Sequence, residues 1–201
     1  MYYTKRAAIC NEFLKHLFAG KYKNIRAKNG ADIFFKEREI KMNFYDDLEN
    51  VMKHYSSTGA FLTVTDGELT NTMTVSWGNI GFMWGVPYWM VMVRPQRYTH
   101  GIISRAEDFT LSLPFGSMKN ELSVCGTKSG KDTDKSKIVR FVPSVAAKSP
   151  AVEGCDIYYE CRIIYKDAFK EANMDKIMAG KFYTGDFHSV YFGEIIKQYK
   201  K

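Results

Sequence analysis

The apolar positions of this chain follow two periods, helical before Gly59 and alternating after it. Phe44, Leu48, Val51 and Tyr55 share one face of a helix that starts near Asn43. Asn43 suits its cap, and Asp46 and Asp47 suit its positive end. Further upstream, Ile9, Phe13, Leu14, Leu17 and Phe18 trace a second amphipathic helix, with Gly20 as its stop. Beyond Gly59, AFLTVT and ELTNTMTVSW flank Asp66-Gly67, a dipeptide that takes the positive φ angles of a tight hairpin. YWMVMV (88–93) predicts a third strand, ending where Pro95 removes a ladder donor. Thr99 is placed to cap a short helix through HGIISRAE, and FTLSLPF (109–115) follows as a fourth strand. Met118 to Val124 read as one or two helical turns that stop at Gly126. IYYECRIIYKDAF and HSVYFGEII complete the set, with a short helical stretch from Asn173 to Met178 between them. Six or so mostly antiparallel strands with short connections predict a mainly β fold with α additions, a β-barrel carrying a few helices.

Charge divides the chain differently. Residues 1–40 hold nine Lys/Arg against four Asp/Glu, five of the net +7, and show no strand pattern. We read 1–40 as a basic N-terminal helical extension and 41–201 as the barrel domain. The barrel itself is then only mildly basic. That argues against a nucleic-acid-binding barrel, which would combine a strong positive surface with base-stacking aromatics. No apolar run approaches the ~18 residues of a membrane span, so no membrane partner and a cytoplasmic location are expected. Cys10, Cys125, Cys155 and Cys161 form no CxxC pair and no zinc spacing, as in a reduced intracellular chain. Cys125 reads as a small buried residue rather than a redox group.

Hydrolytic and common nucleotide motifs are missing: no GxSxG, HExxH, GxGxxG or GxxxxGK[ST] occurs. His16, His54 and His100 are scattered, and His188, beside VYF, remains a site candidate. The segment from Thr70 to Thr99 offers another route to an anionic ligand. Alternation puts Thr72, Thr74 and Ser76 on one strand face, while Arg94 and Arg97 supply charge-assisted donors. A helix opening at Thr99 adds backbone N–H groups. A cofactor with a phosphate and a flat ring would use all of them, and an ordinary strand pair with a basic turn would also account for them. The loop GTKSGKDTDKSK (126–137) is likewise open to two readings, a mobile surface loop or a loop beside an anion.

NTMTVSWG, FMWGVPYWMVMVRPQRYT, FTLSLPF, CGTKSGKDTDK and DFHSVYFGEI, in this order, closely resemble the flavin reductase-like, FMN-binding split-barrel family, and within it the flavoredoxin-like branch. The resemblance covers roughly residues 41–197. It implies a split β-barrel that dimerises and holds FMN non-covalently near the subunit interface. By position, Asn71, Thr72, Met73, Thr74 and Ser76 match the strand lining the flavin and its phosphate. Arg94, Arg97, Tyr98 and Thr99 match the phosphate-side turn, and Phe115, Lys128 and Ser129 match loops near the ring or ribityl chain. The implied activity passes electrons from NAD(P)H through FMN to free flavin or to another small-molecule or protein acceptor. A non-catalytic FMN-binding sensor or storage protein is the alternative. No catalytic acid and no metal are implied, because the cofactor carries the chemistry.

Overall fold

The computed structural model describes residues 47–200. The N-terminal extension, its helix with Gly20, Cys10 and His16, and the helix-start residues Asn43, Phe44 and Asp46 lie outside the described residues. Helix α1 (Leu48–Ser57) is preceded by Asp47, which takes the cap position in a left-handed conformation (φ 65) and accepts from Asn50 Nδ2 at 2.6 Å. Val51 and Tyr55 are buried, as the periodicity requires.

Nine strands follow: β1 (Ala60–Thr65), β2 (Thr70–Val75), β3 (Gly78–Met83), β4 (Val86–Val93), β5 (Asp108–Leu113), β6 (Phe141–Val142), β7 (Ala151–Val152), β8 (Ile157–Ala168) and β9 (Ser189–Lys200). Seven form one sheet in the order β2-β1-β5-β8-β9-β4-β3, every pairing antiparallel. The two edge strands, β2 and β3, are consecutive in the chain and joined only by Ser76 and Trp77. At ~3.5 Å per residue so short a link holds the edges together, so the sheet must curl into a barrel with a seam. This is the split β-barrel that the resemblance implied. Register shifts at Glu160/Cys161 and Ile163/Tyr165 supply local bends in β8 as it pairs with β9. At the seam the Tyr55 hydroxyl donates to the Trp77 carbonyl at 2.9 Å. Gly78 (φ +152) lies so close to β4 that a Cβ there would sit 2.1 Å from the Met90 carbonyl oxygen.

The barrel interior is aromatic and aliphatic. Trp89 packs edge-on against Tyr55 (5.2 Å) and Tyr159 (4.6 Å), among Leu62, Val64, Val91, Leu111 and Leu113. A second core, with Phe61, Leu122, Cys125, Val152 and Cys155, fills the space outside β1. Strand β1 is therefore covered on both faces, which is why AFLTVT reads as a nearly continuous apolar run. Cys125 is buried, and burial raises its thiol above its ordinary value.

Three helices and two 3-10 turns complete the described structure, and several differ from the sequence expectation. Helix α2 (Tyr98–Ile103) is preceded by Arg97, not capped by Thr99. The Thr99 side chain turns inward and accepts a hydrogen bond from Asn71 Nδ2 at 2.8 Å, so it serves burial instead of the helix end. Helix α3 (Lys119–Thr127) continues through Gly126, whose missing side chain lets the helix approach Thr74 of β2: a Cβ there would lie 3.3 Å from Thr74 Cβ. The expected stretch at 173–178 is a 3-10 turn (Glu171–Asn173) followed by α4 (Lys176–Phe182). Asp175 Oδ1 caps α4 by accepting from Ile177 and Met178 N–H at 3.0 and 3.1 Å. Strand β3 escaped the reading because GNIGFM has two glycines and no clean alternation. No described helix is long and apolar enough to cross a membrane.

Candidate functional site

The barrel seam opens into a cleft of about 300 Å³. Its floor comes from the end of β2 and the connector (Met73, Thr74, Val75, Ser76, Trp77), and its walls from Met92 of β4, Arg94 just past that strand, Arg97 and His188. The cleft exists because the edges of the curled sheet meet here without a ladder between them. Apolar surface, two hydroxyls and two guanidinium groups share it. Among the described residues no cluster of His, Cys, Asp or Glu is suited to a metal ion.

Arg97 is the most distinctive charge. It is half-buried, it donates from Nη2 to the Gly126 carbonyl at 2.8 Å, and no carboxylate pairs with it among the described residues. Burial pulls its guanidinium below the ordinary value. Nearby, Lys135 is almost fully buried at 3% exposure and donates to the carbonyls of Val124 (3.4 Å), Cys125 (3.1 Å) and Lys128 (2.7 Å). Burial lowers its pKa, and Arg97 pushes the same way. Both cations face the C-terminal carbonyls of α3, where the helix dipole favours positive charge. Those carbonyls offset part of the cost of burying the cations, but no acid among the described residues neutralises either charge. The result is a locally electropositive corner beside Thr74 and Ser76.

The other wall has the opposite character. Arg94 Nη1 donates to Asp186 Oδ1 and Oδ2 at 2.9 and 2.8 Å, Nη2 donates to the Phe182 carbonyl at 2.6 Å, and the guanidinium lies 5.2 Å from the Tyr183 ring centre. This pairing holds the Asp186 carboxyl below its usual range. His188, 7% exposed, shares a hydrogen bond between Nδ1 and the Tyr183 hydroxyl at 2.9 Å. Burial first, and repulsion from Arg94 second, push its imidazole down to about 4, so it is neutral at pH 7. The Trp77 indole, 43% exposed, meets Phe182 edge-on at 5.3 Å and His188 at 5.4 Å.

Of the residues singled out in the sequence, Met73, Thr74, Ser76, Arg94 and Arg97 are brought together in the cleft. Thr74 lines it while its hydroxyl donates to the Leu122 carbonyl at 2.5 Å. Thr72 does not reach it. That side chain is fully buried, its hydroxyl accepting from Thr63 Oγ1 at 3.0 Å and donating to the Leu62 carbonyl at 3.2 Å. Asn71, Tyr98 and Thr99 form a supporting group behind the cleft. Gly130 is pressed against it: a Cβ there would come within 2.5 Å of both Asn71 Oδ1 and Tyr98 Cδ1. Lys128 and Ser129 are exposed beside this group, and the Lys128 carbonyl accepts from Lys135. Phe115 packs on His54 (4.9 Å) instead of lining the cleft, and its N–H donates to Asp156 at 2.6 Å. Sequence reasoning missed Trp77, Met92, Lys135 and the pairing of Arg94 with Asp186. Only the aromatic Trp77 and the Gly-Asp pair Gly185-Asp186 offered a local signal.

The flavin reductase like domain model matches residues 52–198, most of the chain. The chain belongs to the flavin reductase-like domain family. This flavin reductase-like domain is 26% identical over 152 residues to an uncharacterised protein of Archaeoglobus fulgidus, covering 75% of this chain and 76% of that protein. In fold it is similar to an FMN-binding protein from Thermus thermophilus solved with bound p-hydroxybenzaldehyde (TM-score 0.57, 23% identity, 72% of this chain and 71% of that one). It is also similar to flavoredoxin from Methanosarcina acetivorans (TM-score 0.57, 21% identity, 72% and 68%).

Proposed function

We propose that this flavin reductase-like domain binds FMN in the seam cleft and works as an FMN-dependent oxidoreductase, taking electrons from NAD(P)H and passing them to free flavin or another acceptor. The observation that carries the reading is Arg97. A half-buried guanidinium with no acidic partner among the described residues, at the end of an apolar cleft and next to buried Lys135, is suited to a phosphate, which would complete its hydrogen bonds. Family membership and the FMN-binding and flavoredoxin neighbours support the same cofactor.

The donor set fits the group. Arg97 would hold the phosphate, with the Ser76 hydroxyl within the same cleft. The Thr74 oxygen keeps acceptor capacity while its proton goes to Leu122. Trp77 and Met92 offer apolar surface to a flat ring, and neutral His188 adds no charge there. When bound, FMN would supply reversible uptake and release of electrons, and the protein would bind, orient and shield it.

A homodimer belongs to the same proposal. On the outer face of the sheet, Phe192 meets Tyr88 at a tilt (5.3 Å) and Tyr165 edge-on (5.7 Å), and Trp84, 67% exposed, meets Tyr165. Alternation along β4 continues this apolar face through Met90 to Met92 in the cleft. A second copy seated on this face would cover the aromatics and wall the cleft.

Purified protein should be yellow, or become so with added FMN, and its flavin absorbance should bleach with NADH or NADPH. Colourless protein that fails to take up FMN refutes the binding. Bound FMN that neither nicotinamide reduces refutes the oxidoreductase reading and leaves a flavin-binding module. Light scattering should give a dimer that Trp84→Glu dissociates; a monomeric wild type refutes that part.

A further inference from the structure

Strands β8 and β9 are neighbours whose pairing runs to Ala168 opposite Ser189. Antiparallel neighbours need only about two to five residues to connect, yet here residues 169–188 leave the sheet before returning. The excursion is poorly rooted by apolar packing. Helix α4 buries no residue, and Ile177 and Met178 are 77% and 49% exposed. At the cleft, Trp77 meets Phe182 and His188, Gln96 hydrogen-bonds Asp186, and the side chain that gathers most of the excursion is Arg94. Arg94 gathers the Asp186 carboxylate, the Phe182 carbonyl and the face of Tyr183, three points on a single turn of chain. That turn in turn presents Phe182 and His188 to Trp77.

We propose that Arg94 is a positioning residue: it latches residues 182–188 as a strap along the cleft, and the strap sets how the second substrate, the electron donor or acceptor, reaches the site. This rests on the FMN reading for its kinetic part only. Two arginines that look equivalent in RPQR then divide the work. Arg97, with no carboxylate, faces the anion, while Arg94 already has its carboxylate and serves the strap. Each side chain of the Arg94–Asp186 pair keeps over a quarter of its surface exposed (26% and 29%), so the pair is accessible enough to open. Breaking it would free Phe182 and Tyr183 together, removing one partner from Trp77 and one from His188.

The experiment compares Arg94→Ala, Asp186→Ala, the double variant of these two, Arg94→Lys and Arg97→Ala. Hydrogen–deuterium exchange of peptides spanning 176–188, measured without flavin, should quicken at least tenfold in the first two and stay at the wild-type rate in Arg97→Ala. Arg94→Lys should restore part of the protection, since an ammonium can meet Asp186 but cannot fork to the Phe182 carbonyl. With flavin, Arg94→Ala and Asp186→Ala should raise the KM for nicotinamide or acceptor at least fivefold. The ratio of FMN to riboflavin affinity should change less than twofold, and the double variant should be no worse than either single one. If Arg94→Ala cuts FMN affinity tenfold relative to riboflavin while Asp186→Ala does not, Arg94 is a phosphate ligand and the latch is refuted. Unchanged exchange at 176–188 also refutes it. A wild type that binds no FMN defeats the functional reading, while the exchange result still decides the latch.

Discussion

Removing Arg97 tests the site most directly. In Arg97→Ala the cleft loses a half-buried charge that donates to the Gly126 carbonyl. A charge-assisted hydrogen bond to a phosphate is worth about 1.5–3 kcal/mol, which at ~1.4 kcal/mol per factor of ten is roughly 12- to 150-fold in Kd. Riboflavin has the same ring and ribityl chain without the phosphate, so its Kd should change less than about threefold, under ~0.7 kcal/mol. The substitution also leaves the Gly126 carbonyl without this donor, costing about 0.5–1.5 kcal/mol of fold stability. That loss burdens both ligands equally and cancels in the ratio; thermal unfolding reads it separately. Arg97→Lys should fall between wild type and alanine, because the ammonium keeps the charge and loses the fork. The assay is quenching of flavin fluorescence in titrations with FMN and riboflavin at two salt concentrations. The FMN loss should shrink at high salt, as expected for an electrostatic contact. An equal loss for both flavins would show that the arginine does not face the phosphate, and the reading of the cleft would fall with it.

Other outcomes can be checked independently. His188 titrates near 4 in the fold and at about 6.5 when unfolded. The unfolded chain therefore binds more protons between those values, and stability must fall as pH drops from 6.5 to 4. Allowing for solvent in the cleft, the effect is on the order of 2 kcal/mol. Denaturant midpoints at pH 7 and 4.5 should show it in the wild type and lose it in His188→Gln; an opposite slope would refute the burial argument. Gly78→Ala places a methyl 2.1 Å from a backbone oxygen of the paired strand. It should cost at least ~3 kcal/mol, the upper end of usual overpacking, or prevent folding; a wild-type melting temperature would contradict the seam geometry. Lys135→Met removes the ammonium that donates to the Val124 and Cys125 carbonyls of α3 and to the Lys128 carbonyl just past it, and should destabilise by about 2 kcal/mol. It should also quicken amide exchange at the end of α3.

Much of the barrel was legible because alternation is a local signal. The β1–β2 hairpin, β4, β5, β8 and β9 each announce themselves through Val, Ile, Thr and aromatic residues. Strand β3 did not, since its glycines exist to let Tyr88 and the β4 backbone come close, a demand made by its hairpin partner and not visible in its own residues. The site was half legible for a related reason. Strand parity groups Thr72, Thr74 and Ser76 on one face, but β2 ends at Val75, and parity does not say how far along the strand the structure stays open. Thr72 lies where Thr63 consumes its hydroxyl, and Ser76 lies at the seam. Arg94 and Arg97 look alike in the chain; Asp186, far off in sequence, is what separates them. Thr99 shows the same limit, its hydroxyl claimed by Asn71 from the far side of the β3–β4 hairpin in sequence.

The strand order carries a consequence for how the protein is made. The β3–β4 hairpin joins the rest of the sheet through β9 alone, the last strand among the described residues. Until β9 is synthesised and inserted, β1, β2, β5 and β8 can assemble on one side while β3–β4 stays tethered by Ser76 and Trp77 without a ladder partner. The cleft draws one wall from each group, so it comes into being with the final pairing step. A growing chain thus has no complete cleft until β9 has been made and has paired with β4. Non-local closure of this kind is slow relative to hairpin formation.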